Sequence, residues 1–446
     1  MIFNLETGIF VTFEEGEINA RLETGISLLL ETGLTILSVH DGTEHFPPYD
    51  AGCDSLWTME SLSTLVVHGA TAKTPANHPV SLPIYQSASW TFSDLDEVDA
   101  VYSGEKPGVI YGRNGTPNHR ALENLFARLH RAEAGVACAS GMSALSAAFL
   151  GLLSQESKVV ASQDLYGSTL NVLHDLRRFG LELATVEITD FDRMHTELQG
   201  AQMLVLETSS NPRLRIPDLP RLCTMAHQAG AVVLVDNTFA SPYHCRPTEH
   251  GADIVMESLT KFISGHSDVM IGAVAGRHRL IEPIRSVAVR MGLVSNPHEC
   301  WLSVRGTETL EVRMQRASSN AAELAHFLAG HSKVRQVHYP GLTSHPDHLT
   351  ARQVLQNGFA AMLAFELEPS RQMLNNFLRG LGYIKLALSL GGVNTTLSHP
   401  ATSSHRFLSP DEREKLGLHD GFLRMSVGIE NLNDLKSDLE QALSGL

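Results

Sequence analysis

The chain has 446 residues, 43 % hydrophobic and 19 % charged, a balance that lets a globular protein bury a large core without disulfides or metals. Its formal charge of -15 argues against nucleic acid and anionic membrane surfaces as partners, since both call for Lys/Arg patches. The cysteines (Cys53, Cys138, Cys223, Cys245, Cys300) are odd in number and lack a C-x-x-C pair, which reads as reduced thiols in a cytoplasmic protein.

No apolar run is long enough to span a bilayer, and no basic n-region marks a signal peptide. The charge is uneven: residues 1–58 hold ten acidic side chains against Arg21 alone. L-E-T-G recurs there at Leu5, Leu22 and Leu30, too briefly and irregularly for a solenoid. This segment reads as an atypical acidic extension, either a misassigned start ahead of Met59 or poorly ordered chain; a small regulatory element is the alternative.

From Thr116 onward the pattern predicts a helix over Ala121–Leu129 with Asn118 as its cap, a strand at Gly135–Ala139 and a helix over Met142–Leu153. Apolar, β-branched runs predict further strands at Lys158–Ala161, Met203–Leu206, Val232–Val235, Asp253–Met256 and Val269–Ala275, with helices such as Leu219–Ala229 between them. Such alternation predicts an α/β domain over 116–309, a mostly parallel sheet covered by helices on both faces. Over 310–446 the pattern changes to a smaller α+β domain. There a helix near Ser318–Leu328, strands at Met362–Glu366 and Leu423–Val427, and a closing helix over Asn431–Leu443 are expected.

Ligands of open α/β sheets sit where the strands end. Ser140-Gly141-Met142-Ser143 follows one strand and opens a helix, where small residues and the dipole favour an anion. Asp236 directly follows Val232–Val235, and Ser258-Leu259-Thr260-Lys261 follows another strand. Each reads alone as ordinary structure: a turn glycine, a helix cap, a surface lysine. Together they supply an anion cradle, a carboxylate and an amine, which pyridoxal phosphate requires. His345, His348, His399 and His405 match no zinc spacing and read as packing groups, so no metal is expected.

Motifs along the chain from about Ser63 carry a resemblance. They include Tyr111-Gly112-Arg113, Ala139 to Met142, Leu165-Tyr166-Gly167, Glu207-Thr208 with Asn211-Pro212, Asp236 to Phe239, Ser258 to His266, Ser389-Leu390-Gly391 and Leu423 to Gly428. In these the chain resembles the fold-type I pyridoxal-phosphate enzymes of cysteine and methionine metabolism.

The resemblance implies roles. Lys261 would carry pyridoxal 5'-phosphate as a Schiff base and move protons, Asp236 would hold the ring nitrogen, and Tyr166 would stack on the ring. Gly141, Met142, Ser258 and Thr260 would bind the phosphate. Tyr111 and Arg113, in an N-terminal arm over 59–115, would reach the phosphate of a neighbouring subunit, implying a homodimer at least and by family habit a tetramer. Arg424, with Asn211 and Ser389, would clamp the carboxylate of a small amino-acid substrate.

The chain also departs from the pattern. Ser168 stands where methionine γ-lyases typically carry Cys, and Leu388 where cystathionine γ-synthases and many γ-lyases carry Glu. The Trp that bacterial β-lyases place beside Ser389-Leu390-Gly391 is missing, and Gly112 replaces a Ser or Thr. The expected activity is γ-elimination from a cystathionine-like substrate, giving 2-oxobutyrate, ammonia and a thiol. The alternatives are γ-replacement by a cystathionine γ-synthase or O-acylhomoserine sulfhydrylase, methionine or homocysteine γ-lyase, and cystathionine β-lyase. A non-catalytic family member is a further alternative, against which Lys261 and Asp236 argue.

Overall fold

The computed structural model describes residues 61–69, 79–406, 409, 411, 413 and 417–446, together with four short strands nearer the N-terminus. Those strands pair antiparallel in twos: β1 (Phe3–Leu5) with β2 (Ile9–Val11), and β3 (Phe13–Glu15) with β4 (Leu34–Ile36). The rest of residues 1–58, and with it the reading of an acidic extension, lies outside the described residues. Two units separate by contact: Met1–Asp54 with Trp90–Ile110, and Ser55–Ser89 with Tyr111–Leu446. The first contains the helix Leu95–Tyr102, capped by Asp94, whose carboxylate accepts the Glu97 N–H at 2.8 Å.

The second unit holds both larger sheets. One has seven strands: β5 (Ala134–Cys138), β6 (Lys158–Ser162), β7 (Glu182–Val186), β8 (Met203–Glu207), β9 (Val232–Asp236), β10 (Ile254–Glu257) and β11 (Gly272–Gly276), in the order β5-β11-β10-β9-β8-β6-β7. Every neighbouring pair is parallel except those of β11, which runs antiparallel to β5 and β10. The other sheet has five strands, β12 (Gln336–His338), β13 (Met362–Glu366), β14 (Lys385–Leu386), β15 (Thr396–Ser398) and β16 (Phe422–Ser426), in the order β12-β13-β16-β15-β14.

Alternation along the large sheet's strands builds two cores. Val159 and Ala161 of β6 face one way, packing with Ala144, Phe149, Ile281 and Ile284 from the helices Gly141–Leu152 and His278–Met291. Val160 of β6 faces the other way, into Met194, Leu222 and Ala226 of the helices Phe191–Leu198 and Leu219–Gln228. All five β8 side chains are buried, as a strand with both faces covered requires. The fold is therefore α/β, with helices on both faces of a mostly parallel sheet.

Some local expectations change. The helix expected at Ala121 spans Pro117–Leu129, and its cap is Thr116, not Asn118. Pro117 has no N–H to donate, which suits the first helical position, and Thr116 forms a reciprocal box with His119. Asn118 is instead buried, accepting the Tyr85 N–H and donating to the Pro83 carbonyl, both at 2.8 Å. β11 begins at Gly272 rather than Val269, because the Ile271 backbone pairs with the Thr260 side chain instead of a neighbouring strand. β7 was not predicted; it lies at the sheet edge, where Glu182 is exposed and the burial pattern of a covered strand is absent. No described helix is long and apolar enough to cross a membrane.

Candidate active site

Parallel strands deliver their carboxyl ends to one edge of the sheet, so residues far apart in sequence converge there. β9 ends in Asp236 and β8 in Glu207, and the two are paired in register. β6 leads to Tyr166, 37 % exposed, at the start of the helix Gly167–Leu176. The turn after β10 carries Ser258 to Lys261, closed by the Lys261 N–H on the Ser258 carbonyl at 3.1 Å.

Half-buried Lys261 directs Nζ to Ser389 Oγ at 3.0 Å. Burial, and then the Arg424 charge, lower its proton affinity. Gly391, at φ +80°, lets the Ser389 loop press on this turn: a Cβ there would lie 2.6 Å from the Phe262 nitrogen. Leu388, just before Ser389, is 74 % exposed.

Asp236 is held from two directions. Thr238 donates both its N–H (2.9 Å) and its hydroxyl (2.5 Å) to Asp236 Oδ1, and the same hydroxyl accepts the Ser258 N–H at 2.9 Å. Burial pushes the Asp236 carboxyl up to about 6, against the pull of these two bonds, and the Glu257 charge adds to the rise. Glu207 is pushed well above its ordinary range by burial and then by Asp236, while its Oε1 accepts the Tyr166 N–H at 2.6 Å.

Arg424, on β16 opposite Ser398 and Ala364, is 4 % exposed. Its Nη1 donates to Asn211 Oδ1 at 2.7 Å, and its Nε is buried with no hydrogen-bond partner among the described residues. A buried guanidinium donor without a partner is costly, and a ligand carboxylate would relieve it. Burial lowers Arg424 to about 10, with Tyr166 opposing.

Gly141 opens its helix against Ser258: a Cβ on Gly141 would come within 2.9 Å of Ser258 Cβ. Ser140 caps this helix through the Ser143 N–H, and the first-turn N–H groups of Gly141 and Met142 have no intrahelical acceptor. Thr260 donates its hydroxyl to the Ile271 carbonyl (3.1 Å), so that proton is committed to backbone. Exposed Tyr111 and Arg113 stand apart. Arg113 Nη1 donates to the Val289 carbonyl at 2.9 Å, its guanidinium lies 6.0 Å from the Tyr111 ring, and no hydrogen bond among the described residues joins either to Lys261, Asp236 or Arg424.

Sequence reasoning gave no role to Glu207 or Thr238. A signal for Glu207 exists: like Asp236, it is an acid immediately after a buried apolar run. The part played by Thr238 depends on which strand lies next to β9, and no spacing in the chain encodes that.

The residues fit pyridoxal phosphate. A small-residue cradle at a helix N-terminus suits its phosphate, a buried carboxylate its ring nitrogen, and an amine of lowered proton affinity its aldehyde. Fold and site define a cofactor-dependent α/β enzyme.

The chain matches the profile of the Cys/Met metabolism PLP-dependent enzymes over residues 63–444, and it belongs to that family. It is 38 % identical to an L-methionine gamma-lyase of Fusobacterium nucleatum subsp. polymorphum, over 86 % of this chain and 98 % of that one. It is 39 % identical to cystathionine beta-lyase MetC of Bacillus subtilis (strain 168), over 87 % and 96 %. The structure matches that of a cystathionine gamma synthase from Xanthomonas oryzae pv. oryzae with a TM-score of 0.82, at 34 % identity over 87 % of this chain and 99 % of that one. The protein is thus a pyridoxal-phosphate enzyme of the trans-sulfuration group of C–S lyases and synthases.

Proposed function

We propose that the enzyme is a C–S lyase that removes a thiol from Cγ of a cystathionine-like amino acid, releasing 2-oxobutyrate and ammonia. The observation that carries this reading is the pairing of an amine of lowered proton affinity at Lys261, 3.0 Å from Ser389, with the unpartnered buried Nε of Arg424. The exposed apolar Leu388 beside Ser389 offers no contact to the charged distal end of cystathionine and so favours a smaller or less polar thiol as leaving group.

Arg424 binds the substrate carboxylate through Nε while Nη1 stays on Asn211, so one end of the amino acid is fixed. Pyridoxal phosphate, held through Lys261 with its phosphate at Gly141, Met142 and Ser258, would supply an electron sink for the substrate carbons. Thr260, whose N–H and hydroxyl both donate to the Ile271 carbonyl, would have to turn to join them. Lys261 Nζ, freed when the substrate amine takes its place and with its proton affinity lowered by burial and Arg424, would take the Cα proton and hand it on. It would then take the Cβ proton whose loss lets the γ-thiol depart. Asp236 keeps a proton on the ring nitrogen, and Thr238 fixes the direction of its carboxylate. Tyr166, stacked on the ring, gives the departing sulfur its proton. Tyr111 and Arg113 complete a neighbouring subunit's phosphate site in a homodimer or tetramer, in the cytoplasm.

The test is an assay of cofactor-loaded enzyme with L-cystathionine in which keto acid and thiol are identified together. 2-Oxobutyrate with cysteine supports the reading, and pyruvate with homocysteine makes the enzyme a β-lyase. No turnover of cystathionine, alongside cystathionine formation from an O-acylhomoserine and cysteine, would replace it with γ-replacement.

A further inference from the structure

A second cavity, of about 300 Å³, shares no residue with the Lys261 site. Its wall brings together Arg131, Arg246, Glu311, Tyr243, Asn357 and the start of the helix Leu62–His68. Glu311 Oε2 is buried with no hydrogen-bond partner among the described residues. An acceptor in that state is costly unless a donor reaches it. Burial, and then the Glu311 charge, push the Tyr243 hydroxyl up, so it stays a neutral donor.

The two arginines supply the opposite charge. Arg131 and Arg246 both approach Glu249 Oε1, at 2.9 and 3.5 Å, so two guanidiniums share one carboxylate oxygen. Arg246 also donates Nε to the Leu129 carbonyl at 3.0 Å, leaving Nη2 without a hydrogen bond among the described residues. The Arg131 side chain is 67 % exposed, at the mouth. Each guanidinium carries five N–H donors in a fork suited to a carboxylate. With Glu249 included, the charges around the cavity already cancel. A lone anion would leave Glu311 unmatched, and a lone cation would leave without an acceptor the guanidinium donors that Glu249 and the Leu129 carbonyl do not take.

We propose that this cavity binds a small zwitterionic α-amino acid, with its ammonium group on Glu311 and its carboxylate on Arg131 and Arg246. The cavity volume suits such a ligand, and its polar wall favours a short or hydroxylated side chain over a long apolar one. The site would let free amino acid bind an enzyme of amino-acid metabolism away from the catalytic lysine. This inference uses no residue of the lyase reading and stands or falls separately.

The test uses full-length, cofactor-loaded enzyme reduced with borohydride, so that Lys261 can no longer exchange its bond to the cofactor for an incoming amine. Binding of glycine, L-serine and L-methionine is followed by equilibrium dialysis, with methylamine and acetate as probes carrying one charge each. Saturable binding of glycine or L-serine at one site per chain is expected, with methylamine and acetate at least tenfold weaker. Glu311→Gln and Arg131→Ala should each weaken the amino acid at least tenfold while leaving melting temperature and cofactor absorbance unchanged. Absence of saturable binding, equal binding of methylamine, or wild-type affinity in both variants would overturn the proposal.

Discussion

Glu207 and Asp236 stand side by side as register partners at the ends of two adjacent parallel strands, with both carboxyls pushed above their ordinary range. Two like charges at the floor of a site oppose each other, and burial opposes both. A positively charged ring nitrogen set against Asp236 reverses that balance. The site is therefore built for a cation and strained without one.

That strain gives a pH dependence of known sign. Asp236 is harder to ionise in the folded, cofactor-free chain (about 6) than at its ordinary value of 3.8. Between those values the folded chain holds more protons than the unfolded one, so its stability is fullest below about pH 4 and falls as pH rises through about 6. Asp236→Asn keeps an oxygen for the Thr238 donors but carries no charge. It should therefore raise the melting temperature of cofactor-free protein at pH 8, leave it nearly unchanged at pH 4, and abolish turnover. Equal melting of variant and wild type at pH 8 would contradict this account of Asp236.

Thr238 gives a second, subtler prediction. Thr238→Val removes a hydroxyl that donates to Asp236 and accepts from the Ser258 N–H. Losing a donor to a carboxylate is worth about 1.5–3 kcal/mol. The Asp236 carboxyl should rise further, and cofactor affinity should drop about tenfold near pH 6.5. The defect should shrink by pH 8.5, where Asp236 ionises regardless. Thr238→Ser should restore affinity at both pH values. A pH-independent loss, followed through cofactor absorbance, would point to disturbed packing instead.

A third prediction concerns what holds the Asn211 loop. Arg215 makes a two-pronged pair with Asp347, Nε to Oδ2 at 2.6 Å and Nη2 to Oδ1 at 3.1 Å, while Asp347 Oδ2 also accepts the Ile216 N–H at 3.0 Å. Both side chains are almost fully enclosed, and Asp347 raises the proton affinity of the guanidinium. Removing Asp347 leaves Arg215 with Glu187 alone, which its Nη1 meets at 3.0 Å and whose side chain is 38 % exposed, so the cost should be about 3 kcal/mol, the low end for a broken buried pair. Asp347→Ala should lower the urea midpoint of the cofactor-loaded enzyme accordingly. Replacing both partners with hydrophobic residues, Arg215→Met with Asp347→Leu, should recover much of the loss. A single variant as stable as wild type would show the pair to be dispensable.

The strands were legible where burial is two-sided. Met203–Leu206 and Val232–Val235 are short, continuous apolar runs, the second rich in β-branched residues, of the length an interior strand takes. Direction was not legible: Gly272–Gly276 is likewise buried throughout and without a charge, yet it runs against both of its neighbours. Edge strand Glu182–Val186 hid because only Val186 in it is buried, while Glu182 is exposed and the three between are part-covered. The helix His278–Met291 hid behind Pro283, which it carries inside. In the site, Lys261 and Asp236 could be read as residues that follow strands, and Arg424 only through family resemblance, since its chemistry depends on Asn211, 213 positions away. The half-buried hydroxyl of Thr238 illustrates the limit: its bond to Asp236 is local, but its second partner, the Ser258 N–H, comes from the turn after a neighbouring strand.

Leu388 is where reaction choice can be moved without disturbing the fold. Its side chain is 74 % exposed, so replacing it creates no cavity and strands no polar group. Leu388→Glu places a carboxylate beside Ser389, within reach of the region where the distal part of a substrate extends from Lys261. A carboxylate there attracts the ammonium group of cystathionine's distal half and offers nothing to the methyl group of methionine. The variant should raise kcat/KM for cystathionine relative to methionine by about tenfold, chiefly through KM. Leu388→Gln, similar in size but neutral, should move the ratio much less. If both variants shift it equally, charge is not the determinant; if neither does, the distal part of the substrate lies elsewhere and Leu388 has no bearing on the leaving group.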